Sequence, residues 1–232
     1  MKNKWSISHL SIFFFLFTLA ITLFSWVGSV YSWGNVQSLL SAEGIRWMLS
    51  HVVENYVNTP ALGIVLIVLM GVGVGSHSGL YEALLRFCRK GRLLSRKERR
   101  SLVLSVAVFG FYWISIGGIA LLPWNFLQNV MGGWLSSPFS KGLVYIISLS
   151  LGILGLVYGY ASGAFHRISD VVIGMASMIA TKASYFVYLF FVVQFFFSLE
   201  YTHLAQWMYI DGRLLQVVFQ VFCYLPLLIF RS

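Results

Sequence analysis

The chain has 232 residues, of which 59% are hydrophobic, 17% aromatic and 10% charged, and its mean hydropathy is +0.82. Soluble domains average about 25% charged residues, so a chain this poor in charge is excluded from that class and needs lipid as its main solvent. The net charge of +9 does not point to nucleic acid, because eight of the sixteen basic residues form one run from Arg86 to Arg100, which reads as a cytoplasmic loop under the positive-inside rule.

Lys2 and Lys4 precede an uncharged apolar run from Leu10 to Val30. That run exceeds the ~7–15 residues of a signal-peptide core and no A-x-A-like site follows it, so residues 1–30 are expected to form an uncleaved first span. Residues 31–59 turn polar, with Glu43, Arg46, His51 and Glu54 set among apolar side chains. Ile45, Met48, Leu49, Val52, Val53 and Tyr56 recur at three-and-four spacing, which predicts an amphipathic arm along the outer membrane surface. Pro60 opens a second span over residues 60–87, apolar from Ala61 to Phe87, and residues 88–100 form the basic cytoplasmic loop.

Residues 101–232 hold four further expected spans. The first runs from Leu102 to Leu122 and ends at Pro123 and Trp124, where an interfacial tryptophan belongs. A loop with Gly132, Gly133, Ser136, Ser137 and Pro138 leads to the next, Leu143 to Tyr160. His166, Arg167 and Asp170 mark a polar break, and Asp170 to Glu200 follows. As a single helix that stretch would be ~46 Å long against ~30 Å of hydrocarbon, so its first turns must protrude or tilt. Lys182 would then snorkel to the boundary. Leu214 to Phe230 makes the last span. The expected fold class is an all-α membrane protein, with about six transmembrane helices plus one interfacial amphipathic helix in a single integral membrane domain, 1–232. With the N-terminus inside, twelve basic residues are cytoplasmic and three, Arg46, Lys141 and Arg213, are outside. This bias puts both termini in the cytoplasm.

Candidate chemistry is sparse. Cys88 and Cys223 are too few and too far apart in sequence for a disulfide framework or zinc site. His9, His51, His77, His166 and His203 show no metal-binding spacing. No G-x-S-x-G elbow is present, no cofactor is implied, and nothing suggests an enzyme. Gly71, Gly73 and Gly75 sit inside an apolar helix rather than a phosphate loop. The stronger pattern is Gly71, Gly75 and Gly79 at four-residue steps, repeated as Gly155, Gly159 and Gly163. It predicts close helix packing in lipid. Glu82 lies one turn before Arg86 and is expected to pair with it or with the loop. The basic set Arg86, Arg89, Lys90, Arg92, Arg96, Lys97, Arg99 and Arg100 sets topology and could meet anionic lipid. Asn55 and Gln194 are the candidate substrate-binding side chains, each equally explained by interhelical hydrogen bonding.

Three stretches together resemble the p-aminobenzoyl-glutamate transporter (AbgT) family. Leu39 to Arg86 resembles its amphipathic arm and following helix, with Asn55, Leu62-Gly63, Gly71, Gly73 and Ser78-Gly79-Leu80 in the expected order. Ser137 to Gly159 and Asp170 to Phe195 are the others. With the third span included, the resemblance covers about two-thirds of the chain. Family members carry hairpin blocks with Ser/Asn-rich and Asp-containing motifs, whereas here Arg86 leads straight into the basic loop, and a second block expected after Phe195 has no counterpart before Ser232. Ser76 stands where the family commonly has a glutamate.

The resemblance implies a transport-system component of the inner membrane. It would be the scaffold half of a p-aminobenzoyl-glutamate or antimetabolite transporter, homodimeric, with a second membrane polypeptide supplying the moving domain. The alternatives are a non-transporting assembly or regulatory protein, and a complete small transporter with a site of its own.

Overall fold

The computed structural model describes residues 7–89, 94–121, 127–128, 133–134 and 137–229. The described chain is helical: α1 (Ile7–Val30), α2 (Ala42–Val57), α3 (Pro60–His77), α4 (Leu80–Arg89), α5 (Arg96–Leu121), α6 (Pro138–Ser162), α7 (Ile168–Thr181), α8 (Ala183–Tyr201), α9 (Leu204–Trp207) and α10 (Gly212–Ile229). Five stretches are long and apolar enough to cross a membrane: α1, α2 with α3, α5, α6 and α8; α7 and α10 are shorter apolar helices. The helix ends follow local chemistry. Ser41 caps α2 by accepting from the Gly44 N–H, Ser137 caps α6 ahead of Pro138, and Gly163 closes α6 at φ +83°.

The chain divides into two compact units, one of residues up to Gly63 and from Lys182 onward, the other Ile64–Thr181. In the first, α8 is the core element, with Tyr185, Tyr188, Leu189, Val192 and Val193 fully buried. α1 runs parallel to it. The Phe14 ring meets Tyr188 and Phe195 edge-on at 5.7 and 5.4 Å, and Ile21 packs with Leu199 further along. α10 runs antiparallel on another side. Its Pro226 lacks the N–H that would serve the Phe222 carbonyl four residues back. The Tyr188 hydroxyl donates to that carbonyl at 2.9 Å, and the Tyr185 hydroxyl donates to the Cys223 carbonyl at 2.8 Å.

α2 also lies lengthwise and antiparallel on α8. Trp47 stacks on Tyr201 at 4.3 Å, Gln194 Nε2 donates to the Val52 carbonyl, and the Tyr56 hydroxyl donates to the Phe186 carbonyl. Its apolar stripe faces outward, since Ile45, Met48, Leu49 and Val53 are exposed while Gly44 and Asn55 are buried. The apolar spacing alone did not distinguish this lengthwise packing from an arm resting on the membrane surface.

In the second unit, Leu80 and Ala83 of α4, Leu102 of α5 and Tyr158 of α6 form one buried cluster, and the Tyr112 hydroxyl of α5 donates to the Ile146 carbonyl of α6. The expected unbroken span from Ala61 to Phe87 is interrupted. Gly79 adopts φ +76°, a left-handed conformation that ends α3, and the Ser78 hydroxyl both donates to the Gly75 carbonyl and accepts from the Leu80 N–H. The expected single helix from Asp170 to Glu200 is interrupted too, at Lys182. Just before it, the Thr181 hydroxyl bonds back to the Ser177 carbonyl and the Ser177 hydroxyl to the Gly174 carbonyl, contacts that bend helices.

Candidate functional site

Five of the six glycines meet close neighbours, Gly79 being the exception. A Cβ at Gly71 would run into the Ser148 carbonyl, and one at Gly155 would stand 2.7 Å from the Gly75 Cα. So α3 and α6 cross backbone to backbone, and the Ser148 hydroxyl donates to the Ile67 carbonyl at 2.5 Å beside the crossing. Gly73 meets the Gly174 carbonyl of α7 in the same way. Gly75 also faces the Tyr81 ring, and Gly159 the Phe165 ring of the loop after α6. Gly79 and Gly163 are different from the expected stripe. Both have positive φ and end helices, and nothing stands within 4 Å of a Cβ at Gly79.

The described part of the basic run is built around a capping box. The Ser95 N–H donates to Glu98 Oε2 at 2.8 Å, and the Glu98 N–H donates to the Ser95 hydroxyl at 3.1 Å. Arg86 Nη2 reaches Glu98 at 3.3 Å, while its Nε donates to the Glu82 carbonyl. The partner of Arg86 is therefore Glu98, not the Glu82 carboxylate, because the start of α5 holds its capping carboxylate within reach of α4. The Ser95 backbone bond, helped by the Ser95 hydroxyl and Arg86, holds the Glu98 carboxyl below its usual range against a smaller opposing effect of burial. Lys97 Nζ lies 2.8 Å from the Cβ position of Gly163, so its charge sits at the negative end of α6. Arg96, Lys97 and Arg100 line one groove with Ser101, and Arg99 is exposed. Lys90, Arg92 and the side chain of Arg89 lie outside the described residues.

Asn55 and Gln194 have separate fates. Gln194 spends its amide N–H on the Val52 carbonyl at 2.9 Å. Asn55 is 9% exposed, its backbone carbonyl accepts from the Thr59 hydroxyl at 2.6 Å, and its side-chain Nδ2 has no hydrogen-bond partner. An unpaired buried amide costs ~1–3 kcal/mol, and among the described residues Asn55 is the one side chain with a buried donor left to offer. Among the described residues, the buried polar side chains are otherwise serines and threonines, with no buried carboxylate, lysine, arginine or histidine. No three His, Cys, Asp or Glu side chains come together as a metal site among those residues.

The sequence reading missed the Tyr56, Tyr185 and Tyr188 hydroxyls as interhelical donors. The signal for Tyr188 was Pro226, which announces a carbonyl in need of a donor. Ser95-x-x-Glu98 was likewise a readable capping box.

The family model "AbgT putative transporter family" matches residues 6–125 and 89–221. The Alcanivorax borkumensis YdaH transporter, a solved structure of unusual topology, is similar at 18% identity and TM-score 0.72, over 96% of this chain and 75% of that one. Neisseria gonorrhoeae MtrF, whose structure illuminates a class of antimetabolite efflux pumps, is similar at 17% identity and TM-score 0.79, over 96% of this chain and 77% of that one. No curated protein matches the chain. At these identities the two structures establish a shared fold, while the family match spans most of the sequence. This multi-pass membrane protein, drawn from transporters rather than enzymes, belongs to the AbgT family.

Proposed function

We propose that the chain is the scaffold half of an AbgT-type transport system, acting as a homodimer in the inner membrane with both termini cytoplasmic. The domain that binds and moves p-aminobenzoyl-glutamate or a related antimetabolite would come from a second membrane polypeptide. On this reading residues 1–232 serve as one integral membrane domain. The observation that carries the proposal is the interior, where the buried polar groups among the described residues are serine, threonine and tyrosine hydroxyls and the Asn55 amide, with no carboxylate. Coupled transport needs an ion site and a substrate site that change together between two access states, commonly built from broken helices and carboxylates at membrane depth. Gln194 is already committed to α2, and Arg86 leads into the basic loop without an intervening hairpin block.

The test is reconstitution of the purified protein alone in liposomes. The expected result is no accumulation of p-aminobenzoyl-glutamate under a sodium or proton gradient, and a hairpin-containing membrane protein in stoichiometric amount after purification in mild detergent. The unpaired Asn55 amide favours one rival, a complete small transporter. Saturable, gradient-driven uptake that is lost on Asn55→Ala or Gln194→Ala would establish that rival and overturn the scaffold reading.

A further inference from the structure

The first unit contains a cavity of about 400 Å³ where the end of α8, α9 and the start of α10 meet. Its floor is aromatic. The Phe196 and Phe219 rings lie 5.3 Å apart, and Phe197 meets Phe219 edge-on at 6.2 Å. The rest of the lining mixes apolar Ala205, Ile210 and Leu215 with polar Glu200, His203, Gln206 and Gln216. The Glu200 carboxylate enters no ion pair or hydrogen bond among the described residues.

His203 adds a chemical direction. Its backbone is held at φ +57°, and its Nδ1 lies 3.0 Å from the Tyr201 carbonyl. A carbonyl can only accept, so Nδ1 is the donor in that bond. The lining therefore offers a carboxylate, an imidazole and two amides, with no lysine or arginine. A carboxylate in a cavity that three phenyl rings also line suits a cation that brings N–H donors, since aromatic rings attract positive charge. The same set repels carboxylates, so the doubly anionic p-aminobenzoyl-glutamate is the wrong chemistry for this cavity.

We propose that this cavity is a binding site for a small organic ammonium ion with an aromatic or apolar body, its charge on Glu200 and its body on the Phe196–Phe197–Phe219 floor. The site stands apart from the transport reading and is tested by equilibrium binding rather than flux.

The probes are phenethylammonium, 2-phenylethanol and 3-phenylpropionate, which share a ring and differ in charge. Their binding to the intact protein in nanodiscs of zwitterionic lipid is measured against empty nanodiscs at neutral pH. Phenethylammonium should bind at least tenfold more tightly than 3-phenylpropionate, a difference of about 1.4 kcal/mol. Glu200→Gln, at an exposed side chain, should weaken phenethylammonium about tenfold and leave 2-phenylethanol unchanged. Phe219→Ala should weaken phenethylammonium and 2-phenylethanol together. Equal affinity for all three probes, tighter binding of the carboxylate, or ammonium binding indifferent to Glu200→Gln would overturn the proposal.

Discussion

The two tyrosines over Pro226 allow a quantitative test of how this fold repairs a broken helix. Without the proline N–H, the Phe222 carbonyl has no donor inside α10, and in a membrane interior such a group must find one elsewhere. Tyr188 supplies it at 2.9 Å from a fully buried position. Tyr188→Phe should therefore destabilise the first unit by about 1–1.5 kcal/mol, between the ~0.6 kcal/mol average for transmembrane hydrogen bonds and the ~1–3 kcal/mol cost of an orphaned buried group. Tyr185→Phe should cost less, about 0.5 kcal/mol, because the Leu227 N–H remains in the chain as the regular donor to the Cys223 carbonyl. Pro226→Ala restores the missing N–H, and in that background Tyr188→Phe should cost no more than about 0.5 kcal/mol. The double-mutant cycle then gives a coupling of about 0.5–1 kcal/mol.

Cys223 provides the readout, since it is 1% exposed and adjoins the repaired carbonyl, whereas Cys88 is exposed. In a Cys88→Ala background, the rate at which a thiol dye reaches Cys223 in detergent reports opening of α10 against α8. Additive effects of Pro226→Ala and Tyr188→Phe, or a larger cost for Tyr185→Phe than for Tyr188→Phe, would refute the account.

Three further outcomes are expected. Gly155→Ala should lower detergent stability by about 1–3 kcal/mol, because its Cβ meets the α3 backbone, while Gly63→Ala, where nothing stands within 4 Å, should be neutral or stabilising; thermal unfolding of both checks the contrast. The depressed Glu98 pKa means that the capping box contributes stability fully above the unfolded carboxyl value of about 4.3 and loses it as pH falls through the folded value. Hydrogen exchange at the Ser95 amide should accelerate on that descent, and Glu98→Gln should remove the pH dependence. An impermeant thiol reagent should label exposed Cys88 in inverted vesicles but not in intact cells, and label at Cys88 from outside would reverse the proposed orientation.

Hydropathy made α1, α5, α6 and α8 legible, because an uncharged run of this length has few alternatives to crossing a bilayer. The breaks were harder to read. Gly79 belongs to the same four-residue series as Gly71 and Gly75, yet its role is a left-handed turn; spacing records the absence of a side chain, not the φ that absence permits. At Lys182 the interruption follows hydroxyls of Ser177 and Thr181 that bond back along their own helix, and such residues occur equally in straight helices. The pairing of Arg86 depended on the start of α5 lying beside α4, a tertiary fact that local charge spacing could not supply. Asn55 and Gln194 were selected as polar groups within apolar surroundings, and only their partners separate them, one satisfied and one not.

The pattern of bonds around α8 gives the scaffold reading a physical basis. Tyr185, Tyr188 and Gln194 leave α8 for carbonyls of α10 and α2, and Tyr56 of α2 reaches the Phe186 carbonyl of α8. Each bond ends on backbone, so it fixes the register of one helix against another. Sliding α8 against α2 or α10 would break these bonds in concert, at an average of ~0.6 kcal/mol each, and would disturb the Phe14, Phe195, Phe196 and Phe222 ring contacts as well. A moving gate needs two arrangements of similar energy. A helix tied by backbone-directed bonds on two sides favours one arrangement, which is the property a stationary framework requires.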